Sequence, residues 1–343
     1  MKALRLYGKR DLRYEDIPEP SPGPGQVKVK INLAGICGSD LEEYVAGPDM
    51  IGIGELPLTI GHEFVGRVVA VGGGVTGFKV GERVSGVGYW VCGECFFCQR
   101  GLYNLCLKLD FTGVSVDGCM AEYLISPSYS LCKLPDSVSD EAGALVEPLA
   151  VAIHAVRRGN VRPGDTVAIV GDGTIGLCTL LAAKAAGVSK VYVVAKHKGR
   201  GAMASTLGAT AVVYLDDGDP VQLIGNLTGG LGTDVSIECV GHPDTPQLSV
   251  ELARRGGTAV IVGVFNQPSS FHFSSITFSE KTTVGSFIYV DEAKTAIALL
   301  ADKRIDPRRL ITSKVPLKDA VEMGFEKLIA NKEHDVKILL QIA

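Results

Sequence analysis

Apolar and polar residues alternate over Val27-Lys28-Val29-Lys30-Ile31, the period of a half-buried strand. Short Val-rich segments cut by glycines follow at 61–71 and 81–87. The first 150 residues therefore predict an irregular, turn-rich antiparallel domain. After Glu147-Pro148 the pattern changes. Residues 166–170 form a compact apolar run ending at Gly171, the Leu/Ala stretch 175–186 predicts a helix, and 191–194 the next strand. Further apolar runs at 211–215, 234–240, 259–264 and 282–287 alternate with helix-like segments such as 198–207 and 247–253. That alternation predicts a parallel sheet covered on both faces. From Asp291 the tail reads as charged helix and ends in an apolar strand-like piece, 336–342, that can return to the first domain.

A chain of 343 residues suits two domains. Its net charge of -4, with no Lys/Arg block, excludes a general nucleic-acid binder. No apolar stretch reaches the length of a membrane span. Residues 1–19 are charged throughout and lack the apolar core of a signal peptide, so the expectation is a cytoplasmic protein without a membrane partner. Nine cysteines in such a chain point to metal ligation before disulfides.

Cys92, Cys95, Cys98 and Cys106 form C-x2-C-x2-C-x7-C. Two-residue gaps turn successive thiolates toward one centre, and the fourth closes a tetrahedron. Four thiolates with no vacancy describe a structural zinc site that clips a loop. An iron–sulfur cluster and four free thiols are the alternatives.

Cys37, His62 and the carboxylates Glu63 and Glu147 suit a second zinc with an exchangeable position, if the fold brings them together. Such a position takes a substrate oxygen and lowers its pKa. Taken singly, His62 reads as a core histidine, Cys37 as a small buried hydrophobe and Ser39 as a turn hydroxyl. Beside a metal, Ser39 would carry the alcohol proton toward solvent.

Gly171-Asp172-Gly173-Thr174-Ile175-Gly176 is G-x-G-x-x-G between a strand and an Ala/Leu helix, the context of a dinucleotide-binding loop. An NAD site usually ends its next strand in Asp or Glu. Here Ala195 stands there, followed by Lys196, His197, Lys198 and Arg200. The missing carboxylate removes repulsion of a 2′-phosphate and the cations can bind one, which predicts NADP(H) preference. A solvated basic loop after an NAD-type strand is the alternative.

Together these motifs resemble the zinc-dependent medium-chain dehydrogenase/reductase family over essentially the whole chain. Carrying the resemblance are Cys37-Gly38-Ser39-Asp40, Gly61-His62-Glu63, the cysteine ladder, Glu147-Pro148, the glycine loop and Val262-Gly263-Val264. Glu147, standing where other alcohol dehydrogenases carry a third zinc cysteine, favours the polyol branch. Within it, segments such as Asp40–Tyr44 and Gly143–Ile153 look most like 2,3-butanediol dehydrogenases. Those enzymes often have His where this chain has Glu42, so Glu42 or a water takes the last place in the proton relay. The stretch from Cys37 to His62 is also shorter, closer to sorbitol and threonine dehydrogenases.

The resemblance implies an α/β fold. A GroES-like β-rich catalytic domain (1–151 and 289–343) joins a doubly wound, parallel-sheet Rossmann domain (152–288), with substrate in the cleft between them. It implies two zinc ions per subunit, Val240, Gly263 and Val264 at the cofactor, and a homotetramer or dimer. The expected reaction is reversible hydride transfer between secondary alcohols or vicinal diols and ketones, with 2,3-butanediol/acetoin first. Sorbitol, another polyol or threonine is the rival substrate, and a nucleotide-sensing zinc protein the non-enzymatic rival. The mostly apolar segment 50–58, with Asp49 and Glu55 nearby, leans toward the smaller diol.

Overall fold

The computed structural model describes residues 1–47 and 55–342. Asp49 and residues 50–54, on which the reading of substrate size leans, lie outside them. The chain forms two units: Met1–Glu147 with Ala293–Asn331 and Lys337–Ala343, and Pro148–Glu292 with Lys332–Val336.

In the first unit a sheet runs in the order Leu131–Lys133, Arg83–Gly86, Glu63–Val71, Gln26–Gly35, Lys337–Gln341, Ile311–Pro316, and Tyr123–Pro127 also pairs with Gln26–Gly35. Its inner face buries Val27, Val29, Ile31, Phe64, Val68, Ile338 and Leu340. Alternation places these apolar side chains inward, as period 2 requires. Gln26–Gly35 and Glu63–Val71 pair antiparallel with Gly35 opposite Glu63. That register sets the neighbouring residues, Cys37 and His62, at the same end of the sheet. A short ribbon, Tyr89–Trp90 with Asp110–Phe111, flanks the cysteine ladder.

The second unit holds a six-stranded parallel sheet, ordered Ala211–Tyr214, Lys190–Ala195, Thr166–Val170, Thr233–Glu238, Ala253–Ile261, Thr282–Gly285. The helix Thr174–Ala185 is apolar nearly all round and buries Leu177, Cys178, Leu180, Leu181, Ala182 and Ala183, which suits a helix sunk against a sheet. Strand order reverses between Thr166–Val170 and Thr233–Glu238, the switch point where such sheets bind ligands outside their carboxyl ends.

Two local expectations change. The tail contains a strand, Ile311–Pro316, parallel to Lys337–Gln341, where helix was expected. As a half-exposed edge it buries only Val315 fully, so its alternation is faint. The strand expected from 259 begins at Ala253, because the helix before it ends at Leu252. Among the described residues no helix is long and apolar enough to cross a membrane.

Candidate active site and dinucleotide loop

The ladder thiols converge. The sulfurs of Cys92, Cys95, Cys98 and Cys106 lie within 4.8 Å of one another, with Cys92 to Cys106 at 3.6 Å and Cys92 to Cys98 at 3.9 Å. Tetrahedral zinc with bonds of about 2.3 Å needs sulfurs about 3.8 Å apart. Backbone N–H groups already face the sulfurs: Cys92 and Lys108 donate to Cys106 Sγ. Donation from Cys98 and Leu107 pulls Cys95 down to about 6, whereas burial pushes Cys98 up to about 12. Four thiols in this spacing, none in a disulfide, form a structural zinc site.

Cys37 follows the central strand and caps the helix Gly38–Ala46. The Asp40 carboxylate, one turn in, accepts the Cys37 N–H at 2.8 Å and stands 3.9 Å from His62 Nδ1. His62 is buried and edge-on to Phe111, with ring centroids 5.5 Å apart. Burial opposes charge on His62, but a hydrogen-bonded Cys37, Asp40 and Glu147 hold its pKa well above the usual value. His62 Nδ1 and Asp40 Oδ1 are buried without a hydrogen-bond partner, which suits an imidazole oriented by a carboxylate behind a metal. A thiol, an imidazole and the Glu147 carboxylate, from the first turn of Val146–Arg158, are the donor types of a zinc site with an exchangeable position.

Glu63 stands apart from this set. Both its oxygens lie 2.7 Å from Lys337 Nζ, which also donates to the Ile36 carbonyl. No three of Cys37, His62, Glu63 and Glu147 bring their ligand atoms within 4.8 Å of one another; among the described residues only the ladder does so. Ser39 and Glu42 lie half-buried on the Cys37 helix. Asp40, Glu43 and Lys337 escaped the sequence reading. Burial and Asp40 push buried Glu43 up to about 8. The signal for Lys337 was a lone cation inside an apolar strand.

In the dinucleotide loop three glycines serve three ends. Gly171 has φ of 121°, and a Cβ there would meet Val240 Cγ2 at 2.8 Å. A Cβ on Gly176 would come within 2.1 Å of the Gly171 carbonyl oxygen. Gly173, capping the helix that begins Thr174-Ile175, faces open space, as a phosphate approach needs. The Thr174 hydroxyl donates to the Val336 carbonyl.

Asp172 supplies an unforeseen carboxylate: it accepts the N–H groups of Lys196 (3.0 Å) and His197 (2.7 Å) and lies 3.1 Å from His197 Nδ1. Ala195 is buried at the strand end. Lys198 pairs with Asp217 at 3.1 Å and lies over the Tyr214 ring. Arg200 donates to the Asp335 carbonyl. Thus the structure brings Lys196 and His197 to the strand end and commits Lys198 and Arg200 elsewhere. Val240 and Val264 are about half exposed at the carboxyl edge of the sheet, beside Gly263.

Two family models match: an alcohol dehydrogenase GroES-like domain over residues 23–136 and a zinc-binding dehydrogenase over 174–302. The chain is 38% identical to the (R,R)-butanediol dehydrogenase of Bacillus subtilis, covering 99% of each. It is 34% identical to that organism's sorbitol dehydrogenase, covering 99% of this chain and 97% of the other. The crystal structure of 2R,3R-butanediol dehydrogenase from B. subtilis superposes with a TM-score of 0.92 at 37% identity, covering 100% of this chain and 99% of that one. A zinc-binding dehydrogenase from Sinorhizobium meliloti bound to NADP (TM-score 0.91, 34%, covering 99% and 98%) is similar too. So is an alcohol dehydrogenase from Escherichia coli CFT073 complexed with NADH (0.92, 30%, covering 100% and 99%). Both zinc ligation by four thiolates and the dinucleotide loop accord with these matches: the chain belongs to the zinc-dependent medium-chain alcohol dehydrogenases and is an NAD(P)-dependent enzyme of that family.

Proposed function

We propose that the enzyme interconverts 2,3-butanediol and acetoin, using NADP(H) in preference to NAD(H). The observation that carries the chemistry is the Asp40 carboxylate joining the two candidate ligands: it accepts the Cys37 N–H at 2.8 Å and stands 3.9 Å from Nδ1 of buried His62. Cys37, His62 and Glu147 hold the catalytic metal, while Glu63, paired with Lys337, stands in reserve to exchange with Glu147. When bound, zinc lowers the pKa of the substrate hydroxyl and the nicotinamide takes the hydride. Ser39 accepts the hydroxyl proton, and Glu42 or a water passes it to solvent. The helix that begins at Thr174 holds the pyrophosphate by its free N–H groups, and Val240, Gly263 and Val264 border the nicotinamide.

Likeness to the butanediol dehydrogenase supports the substrate. Likeness to the sorbitol dehydrogenase supports a polyol as the second reading. For the cofactor, Ala195 offers no carboxylate to a ribose, and Asp172 spends its charge on two N–H groups and His197. We also infer a homotetramer or dimer, supported by the exposed edge strand Thr282–Gly285 and exposed Phe278 and Phe287 flanking it. A reducing compartment, the cytoplasm, suits thiols kept for metal.

The test is steady-state kinetics with meso-, (R,R)- and (S,S)-butanediol, acetoin, sorbitol, xylitol and threonine, each with both cofactors. The highest kcat/KM on a butanediol isomer with NADP supports the reading. A preference for sorbitol, or for NAD, rejects the corresponding half.

A further inference from the structure

Glu238 ends the strand Thr233–Glu238 with its side chain fully buried, and no step of the reaction uses it. Its Oε1 accepts the N–H groups of Val240 at 2.7 Å and Gly241 at 2.8 Å, with the Thr245 hydroxyl also at 2.8 Å. Its Oε2 accepts the Gly263 N–H at 3.1 Å. All these partners can donate, so an acceptor-only carboxylate matches the set and an amide does not. One side chain thus ties together the two loops that follow neighbouring strands of the sheet.

Those loops meet backbone to backbone. A Cβ on Gly263 would fall 2.3 Å from Gly241 N, and one on Gly241 2.2 Å from the Val264 carbonyl oxygen. Above the tie, Val240 and Val264 are 48% and 55% exposed among the described residues, an apolar surface open to a ligand. Sheet order says what belongs there. The glycine loop follows Thr166–Val170, Lys190–Ala195 lies to one side and Thr233–Glu238 to the other. A dinucleotide with its pyrophosphate on the loop and its adenosine over Lys190–Ala195 must carry its other half over residues 239–241 and 262–264.

We propose that Glu238 is a positioning residue for the nicotinamide half of the cofactor, fixing the two loops whose valines receive that ring. The proposal rests on the cofactor reading of the glycine loop and goes beyond it. The side-chain bonds of Glu238 go to Val240, Gly241, Thr245 and Gly263 and not to Lys190–Ala195, so its loss separates the two halves of the ligand.

The test titrates the full-length enzyme, as wild type, Glu238→Gln and Thr245→Val, with NADPH and NADH. Each is set against its nicotinamide-free fragment, 2′-phospho-ADP-ribose or ADP-ribose. The expected result for Glu238→Gln is a Kd for the reduced cofactor raised about tenfold while the fragment's Kd stays within about twofold, the size of one charged hydrogen bond lost. Thr245→Val, which removes one donor and keeps the carboxylate, moves the same ratio in the same direction by about threefold and carries the test if Glu238→Gln does not fold. Equal weakening of cofactor and fragment, or no change in either, overturns the proposal. Failure of the wild type to bind any of the four ligands overturns the cofactor reading itself.

Discussion

Glu63 and Lys337 form a buried ion pair, both carboxylate oxygens 2.7 Å from the ammonium, between two strands whose positions are 274 residues apart. Burying two charges costs several kcal/mol per ion, and here the return comes from two short contacts plus the Ile36 carbonyl. The pair also decides what Glu63 is free to do, because an oxygen held by an ammonium must leave it before it can reach a metal. Lys337→Met strands the carboxylate. We expect a loss of about 3–5 kcal/mol in chemical denaturation, much of it recovered in the double variant with Glu63→Gln. A double variant no more stable than Lys337→Met would show that the pair is not coupled in this way.

The thiolate ladder makes a different demand. Cys98, pushed up to about 12 by burial, stays protonated at neutral pH without a cation, while Cys95, at about 6, is ionised. Metal binding must therefore expel protons, and affinity falls with acid. Cys98→Ser should cost one zinc equivalent per chain by elemental analysis and raise the proteolytic sensitivity of residues 92–106, with the second zinc retained. Loss of both ions together would mean that the two sites are not separate.

His154, Arg157 and the N–H groups of Val290 and Asp291 all converge on buried Glu292. Burial opposes its ionisation, but the bond from His154 and the Val290 N–H overcome it and hold the carboxyl at about 2. The folded pKa lies below the ordinary carboxyl value of 4.5, so the stabilisation is complete above about pH 5 and is lost as pH falls toward 2. Its size is about 1–3 kcal/mol. Glu292→Gln should lower stability at pH 7 and flatten the decline between pH 5 and 3 in urea titrations. An unchanged slope there would remove Glu292 as its source.

At the adenosine end, Ala195→Asp supplies the carboxylate that an NAD site carries. We expect the ratio of kcat/KM for NADP over NAD to fall by about 30- to 100-fold, the worth of about 2–3 kcal/mol between charged groups at close range. An unmoved ratio would place discrimination away from this strand end.

How far the sequence is legible follows from how local each feature is. The ladder and the glycine loop lie within 15 and 6 residues respectively, so spacing alone carries their chemistry. Cys37 and His62 required the register that sets Gly35 against Glu63, which no window of sequence contains, and the family resemblance supplied their pairing. Lys337 stayed hidden because its partner lies at the other end of the chain. Asp172 and Glu238 stayed hidden for another reason: one occupies a variable place in a motif and the other ends an apolar strand, and only the backbone N–H groups they bind reveal their use. Strand Ile311–Pro316, edge-on and half exposed, lacks the alternation by which a strand is read.

The proposed reaction depends on Cys37, His62 and Glu147 holding a zinc ion at which alcohol chemistry occurs. Zinc content and secondary-alcohol turnover, measured together in wild type, Cys37→Ser and Glu147→Gln, decide whether they do. The predicted result is two ions per chain falling to one in Cys37→Ser, with turnover down about a thousandfold or more, as loss of several kcal/mol of charge stabilisation requires. Glu147→Gln should lose the same ion or bind it more weakly. Both variants keeping two ions and wild-type turnover would contradict it.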